Sequence, residues 1–277
     1  MKLLPLFLLL IAFSRVSYAQ YYYKDLVVTR QTAGQWQQYK ENKVKSITLE
    51  SFEHDGQPSE GFSGDQQVAA DFSRITTHTR TSETPDSWIL AYYGASGFPT
   101  KIVDTSDTYQ STSDYQYDPA GHITSITNTS LETDNHLKDV EQHLWQYDAK
   151  GQPASMLKIK NGNDTTYVRF VQDDKGNIIE EHPRRNKSEL PTTYYYYDDQ
   201  NRLTDIVRYN VKAQRLLPVI IFEYETGDRP VSMLVVPEGG IDYQKWIYQY
   251  DGKGLKTKES CFNKKRELQG RIEYNYK

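Results

Sequence analysis

A single cysteine, Cys261, stands in 277 residues, so no internal disulfide is possible, even in an oxidising compartment where one would be permitted. Beyond the first thirteen residues there is no apolar run approaching the ~20 residues of a membrane-spanning helix. No basic block exceeds Lys264-Lys265-Arg266, and 33 Lys and Arg stand against 37 Asp and Glu for a net charge of −4. That balance lacks the electrostatic footprint of a nucleic-acid binder. Catalytic signatures are missing too: no His-Glu-x-x-His, no nucleophile elbow and no phosphate loop. The six histidines, His54, His78, His122, His136, His143 and His182, fall at no metal-ligand spacing. A glycosidase needs two carboxylates ~5–9.5 Å apart, and nothing in the spacing of the acids nominates a pair. Cys261 reads as a strand or turn residue rather than a nucleophile. Long amphipathic helices are also absent from the pattern, with no helix expected beyond about two turns.

Tyrosine is abundant. There are 23, in a chain only 37% hydrophobic with a mean hydropathy of −0.78. Much of the apolar surface is therefore carried by rings with a polar tip, which suits a thin sheet covered by ring bodies while hydroxyls reach water. At the start, Lys2 precedes the apolar run Leu3 to Phe13, and Ser17-Tyr18-Ala19 supplies small residues at the cleavage-determining places. This is the pattern of a signal peptide cut after Ala19. No cysteine follows for a lipid anchor. Loss of Lys2 and Arg15 takes the formal charge from −4 to −6. The mature product is expected to be soluble, secreted or periplasmic, with no membrane insertion and no nucleic-acid partner.

The informative feature is a repeat. Asp118-Pro119-Ala120-Gly121, Asp148 to Gly151, Asp173 to Gly176, Asp198 to Asn201 and Asp251 to Gly254 share one pattern. The Asp accepts a backbone N–H two residues on, and the closing Gly or Asn tolerates the left-handed conformation. Together they make a tight hairpin turn. Aromatics enter each turn at a spacing of two: Tyr115 and Tyr117, Trp145 and Tyr147, Tyr195 and Tyr197, Phe222 and Tyr224, Tyr248 and Tyr250. That spacing puts both rings on one strand face. After each turn the apolar positions fall two and five residues past the closing residue, as in Ile123 and Ile126. A gap of three predicts a bulge just after the turn.

The runs Tyr117-Asp118-Pro119-Ala120-Gly121-His122-Ile123, Tyr147-Asp148-Ala149-Lys150-Gly151 and Tyr197-Asp198-Asp199-Gln200-Asn201-Arg202-Leu203 resemble the tyrosine–aspartate (YD, or RHS) repeat. Clear copies span roughly 110–277. The resemblance implies a β-shell element, although the large members that enclose a toxin carry many more copies and a releasable cargo. A short, exported bacterial relative fits better.

The expected fold is all-β: an antiparallel meander of hairpins in a strongly twisted or curled sheet, with a closed β-barrel or propeller as the alternative. The division is 1–19 leader, 20–110 degenerate N-terminal capping region and 111–277 repeats, continuous with it. Tyr21 to Arg30 reads as a first strand, Gln31 to Lys40 as a loop, Phe72 as the start of a strand, Trp88 as buried, and Glu181 to Leu190 as a linker. A meander has two open edges, which must meet or be capped.

For function, the repeated aspartates raise a row of Ca²⁺ sites, against the simpler reading that each caps its own turn. The ladder Tyr115, Trp145, Tyr195, Phe222 and Tyr248 would bind a glycan if exposed and form the core if not. Tyr21 to Tyr23, at a free mature terminus, would dock on a partner. The leading expectation is a non-catalytic protein presenting a sheet surface to a protein or cell-surface partner. The alternatives are a carbohydrate-binding module and a glycan-active hydrolase.

Overall fold

The structure, a computed structural model, describes residues 21–82, 86–106, 109–237 and 242–277. The expected leader, Met1 to Ala19, lies outside the described residues. The elements in chain order are α1 (Lys24–Glu41), β1 (Ser46–Glu53), β2 (Ser63–Val68), β3 (Arg74–Arg80), β4 (Ser87–Tyr93), β5 (Pro99–Ser106), β6 (Tyr109–Tyr117), β7 (Ile123–Glu132), β8 (Lys138–Tyr147), β9 (Pro153–Lys160), β10 (Asp164–Gln172), β11 (Ile178–Arg185), β12 (Ser188–Glu189), β13 (Thr193–Tyr197), β14 (Leu203–Asn210), β15 (Arg215–Tyr224), β16 (Pro230–Val235), β17 (Gln244–Tyr250), β18 (Lys256–Asn263) and β19 (Leu268–Tyr276).

Sequential strands pair antiparallel, and β1 pairs with β19 from Ile47↔Tyr276 to Glu53↔Gly270. Among the described residues the meander therefore closes into a barrel. The two residues of β12 form a side branch, because β11 also pairs directly with β13 through Glu180↔Tyr194 and Glu181↔Thr193. Eighteen strands remain in the ring, and only an even number lets an antiparallel ring close. Residues 46–106 supply ring strands alongside the repeats.

Each turn is built as its residues dictate. In the first clear repeat, Gly121 donates its N–H to the Asp118 carbonyl at 3.0 Å, and Asp118 donates its own to the His122 carbonyl at 2.9 Å. The Asp118 carboxylate accepts the N–H groups of Ala120 and His122 at 2.9 and 2.8 Å. Asp148, Asp173, Asp198 and Asp251 repeat both contacts. The closing residues Gly121, Gly151, Gly176, Asn201 and Gly254 all have positive φ, from 68° at Asn201 to 87° at Gly121.

The bulge falls just past each turn. Gln116 faces Ser125 while Tyr117 faces Ile123, so Thr124 is the extra residue. Ala154, Thr204, Val231 and Thr257 take the same place in later hairpins. One extra residue resets the alternation, and residues three apart, Ile123 and Ile126, both become buried. The second ring of each pair closes the repeat. Tyr147 donates its hydroxyl to the Ile123 carbonyl at 3.0 Å, Tyr197 to Ile178, Tyr224 to Leu203, Tyr250 to Pro230 and Tyr276 to Lys256. Each acceptor lies two residues past the preceding turn, so the tyrosine stitches adjacent hairpins. Gln172, which stands where a tyrosine is expected, donates its amide to the Pro153 carbonyl in the same way.

Several expectations need correction. Tyr21 to Lys40 is neither strand nor loop: α1 runs 18 residues. Leu26, Thr29 and Trp36 bury one helical stripe, and Tyr39 extends it, while Arg30, Gln37 and Glu41 are exposed. So few apolar residues on the stripe left the helical period weak. Phe72 lies in the turn before β3, with φ of 58°. Residues 181–185 belong to β11. Trp88 faces outward at 42% exposure and stacks on His78 at 4.2 Å.

The barrel interior holds two apolar clusters. One gathers Tyr21, Tyr22, Tyr23 and Leu26 with Trp145, Phe170, Tyr195, Phe222 and Trp246 of the repeats. The other gathers Trp36 and Tyr39 with Ile47, Leu49, Ile75, Ile272 and Tyr274. The helix thus bridges the repeat wall and the closing strands.

Candidate ligand cavity at the turn end of the barrel

α1 lies against the end of the barrel where the Asp turns gather. Trp36 sits so close to Gly97 that a Cβ there would collide with its ring. Arg229 reaches both Gln38 of the helix and the carbonyl of the turn residue Gly254. Between the first turns of α1 and the turns at Gly121, Gly151 and Gly176 a cavity of about 490 Å³ remains open. Its size lies in the range of small-molecule sites, ~300–1,000 Å³.

Ring faces wall this cavity. Phe98 stacks on Tyr117 at 5.4 Å and His122 on Tyr147 at 4.8 Å. The hydroxyls of Tyr117 and Tyr147 are committed to the carbonyls of Pro99 and Ile123, so the rings present apolar surface. Arg30 and Lys175 bring positive charge to the lining, Gln152 and Asn177 bring amides, and no carboxylate stands among the described lining residues. Asp118 holds His122 Nδ1 at 2.9 Å from outside the lining. That pair forms part of a turn, since the same carboxylate also caps the N–H groups of Ala120 and His122. Among the described lining residues, Thr29 brings the one hydroxyl besides those of tyrosine.

Two buried polar groups fix the helix over this end. His143 of β8 sits between two carboxylates, with Nδ1 2.6 Å from Asp25 of α1 and Nε2 3.0 Å from Glu141. Lys158 of β9 closes the other Glu141 oxygen at 2.6 Å, and Trp145 Nε1 donates to Asp25 at 3.2 Å. Burial works against a charged imidazole here, but the Asp25 and Glu141 carboxylates outweigh it and raise His143 to about 9. Burial likewise opposes ionised Glu141, and His143 and Lys158 overcome it, lowering the carboxyl to about 2. Beside this network, Glu181 of β11 accepts the N–H groups of Tyr22 and Tyr23 at 2.7 and 2.9 Å. Tyr23 is the N-cap of α1 and Tyr22 precedes it, so the carboxylate sits at the helix start, where the macrodipole favours negative charge. Burial is the main influence raising its carboxyl, against hydrogen bonds from Tyr195, Tyr23 and Tyr22.

The ladder residues fall elsewhere. Trp145, Tyr195 and Phe222 are buried in the core, and Tyr115 and Tyr248 pack against it half-buried. Trp145 stacks on Phe170 at 5.1 Å, inside the barrel. Of the two readings of the ladder, the rings form a wall of the core, because the inward strand face and the ring face are the same. Tyr21 to Tyr23 dock within their own barrel. The turn residues Asp118, Gly121, Asp148, Gly151, Asp173, Gly176, Asp198, Asn201, Asp251 and Gly254 rim one end, and each Asp has one oxygen committed to its own turn.

Asp25, Glu141, His143, Lys158 and Glu181 were missed by sequence reasoning. A signal existed for two of them: alternation from Trp145 and Tyr147 places Glu141 and His143 on the inward face of β8.

No protein-family model matches the chain, and no curated protein matches it. Among solved structures it is similar to a porin-like protein from Bacteroides uniformis, at 11% identity over 84% of this chain and 96% of that one, with a TM-score of 0.38. It is similar to another from Bacteroides vulgatus, at 14% identity over 84% and 98%, with a TM-score of 0.32. A chain of a Tc holotoxin pore from Photorhabdus luminescens aligns at 14% identity with a TM-score of 0.35. That alignment covers 78% of this chain and spans 12% of the toxin chain.

Proposed function

We propose that this is an exported, non-catalytic binding protein whose ligand enters the cavity between α1 and the Asp turns. The observation that carries the reading is the lining itself: stacked ring faces beside Arg30 and Lys175, with no carboxylate among the described lining residues. Such a surface suits a small ligand with one flat apolar face and an anionic group, such as a sugar acid or an aromatic carboxylate. Export rests on the leader-like first nineteen residues. No helix among the described residues is long and apolar enough to cross a membrane. The outer wall carries the cross-strand pairs Lys101–Asp114, Glu223–Lys245 and Lys258–Glu273. Charges on a lipid-facing barrel wall cost up to ~2–4 kcal/mol each, so these pairs favour a wall in water.

Calorimetric titration of the chain from Gln20 with a panel of sugar acids and aromatic carboxylates tests the proposal. Binding is expected for at least one class. It should be lost in the Arg30→Ala, Lys175→Ala double variant while the melting temperature holds. If the double variant binds as well as the parent, the ligand lies elsewhere. One observation favours a second reading, a protein partner on the sheet's outer face. Leu144, Leu157 and Tyr167 are cross-strand neighbours there, with Leu144 37% and Tyr167 41% exposed.

A further inference from the structure

Asp118 holds the His122 imidazole in one direction. Its Oδ2 lies 2.9 Å from His122 Nδ1, while Oδ1 accepts the N–H groups of Ala120 and His122. The backbone N–H and the ring of His122 together hold this carboxyl below its usual range, and an ionised carboxylate can only accept. Nδ1 therefore carries the hydrogen, and in the neutral imidazole Nε2 is left as an acceptor. The ring lies on Tyr147 with centroids 4.8 Å apart. A Cβ placed on Gly151 would meet Cε1 at 3.2 Å and Nε2 at 3.5 Å. Gly151 and His122 both line the cavity, so the Nε2 edge of the ring lies on the cavity's Gly151 side.

The charged groups of the lining are of the opposite kind. Arg30 and Lys175 can only donate, and Asn177 spends its amide on Asp173 and Asn201. Nε2 thus brings an acceptor, fixed in direction, to a cavity whose charges are all donors. An aromatic carboxylate without a hydroxyl matches the ring faces and the cations and offers Nε2 nothing. A sugar acid matches all three, with a C–H face, a carboxylate and hydroxyls. We infer that the ligand is a sugar acid, with its carboxylate toward Arg30 and Lys175, one face on the stacked rings and a hydroxyl donating to His122 Nε2. Asp118 is a positioning residue that acts through Nδ1. This rests on reading the cavity as the ligand site and narrows what enters it. A site that hydrogen-bonds a ligand hydroxyl discriminates against the analogue that lacks it.

Calorimetric titration at pH 8 compares glucuronate and galacturonate with cyclohexanecarboxylate, which keeps a saturated ring and the carboxylate and has no hydroxyl. At least one sugar acid is expected to bind the parent. His122→Phe keeps a ring against Tyr147 and removes the acceptor. It should weaken that sugar acid roughly tenfold and leave cyclohexanecarboxylate unchanged or tighter. His122→Gln, which returns an acceptor, should recover part of the loss. A sugar acid that binds His122→Phe as well as the parent, or equal losses for both kinds of acid, overturns the inference. Should His122→Phe not fold, single-deoxy forms of the sugar acid titrated against the parent decide. Loss of one hydroxyl should then cost roughly tenfold, and equal affinity across the series overturns the inference. If cyclohexanecarboxylate binds through Arg30 and Lys175 and no sugar acid does, the cavity reading stands and this inference falls. If neither kind of acid binds, both fall.

Discussion

At its C-terminal half, α1 is held by rings. Trp36 stacks on Tyr93 at 6.2 Å and meets Phe72 edge-on, and Tyr39 meets Tyr276 edge-on. Trp36 Nε1 donates to the Phe72 carbonyl, and the Lys40 ammonium lies 4.6 Å over the Trp36 ring. At its N-terminal end the same helix is held by charge: Asp25 on His143, and Glu181 on the Tyr22 and Tyr23 N–H groups. Ring contacts gain by area and tolerate small displacements. Buried charges gain only when every partner is in place, and lose heavily when one is missing. The ring-held end therefore supplies affinity between helix and barrel, and the charge-held end sets the position and direction of the helix. The charge-held end titrates through His143.

The largest expected effect is at the rings. Trp36→Ala should cost about 3–5 kcal/mol in denaturant unfolding, with the same loss at pH 6 and pH 10. Next comes Asp25→Ala, expected to cost about 3 kcal/mol at pH 6, because His143 keeps its charge with one partner gone. Here the sign follows from the shift. His143 is raised in the folded state, so its contribution is complete below its unfolded value near 6.5 and is lost as pH rises through about 9. The gap between parent and Asp25→Ala should narrow by pH 10. A gap that stays constant from pH 6 to 10 would remove the charge from the account. On the acid side Glu141 is lowered, so its contribution is complete above about 4.5 and falls away as pH drops through about 2.

Glycine substitutions sharpen the comparison further. Gly97→Ala and Gly151→Ala both force a side chain to positive φ, 82° and 76°, at about 1 kcal/mol or more each. Only Gly97 adds a collision with Trp36, so its melting temperature should fall further. Equal losses would show that the ring seat is soft. The smallest effect belongs to the wall that both ends share. Tyr147→Phe gives up one hydroxyl bond to the Ile123 carbonyl and should cost about 1 kcal/mol, again by equilibrium unfolding.

The wall was legible in the sequence because its causes are local. Asp118 and Gly121 close a turn four residues long, and the three-residue gap between Ile123 and Ile126 encodes the bulge at Thr124. The helix was not legible. Lys24 to Glu41 buries a sparse stripe, with Gly34 in its middle and Gln and Lys around it, so propensity and period were both weak. Its stability comes from a barrel interior that the local sequence does not describe. The candidate cavity escaped for a related reason: Arg30, His122 and Lys175 lie far apart in the chain, and only the turn end of the barrel gathers them.

By itself, the sequence determined the repeating unit: where the chain reverses, which face the rings share, and where each strand gains its extra residue. These follow from contacts a few residues long, between a carboxylate and the next N–H groups or across one tight turn. Only the tertiary structure decided that β1 meets β19, that the ring aromatics face inward, and that α1 packs against the turn end of the barrel. Closure depends on the summed twist and number of strands, and burial of Asp25, His143 and Glu181 depends on partners over a hundred residues away, which no local pattern encodes.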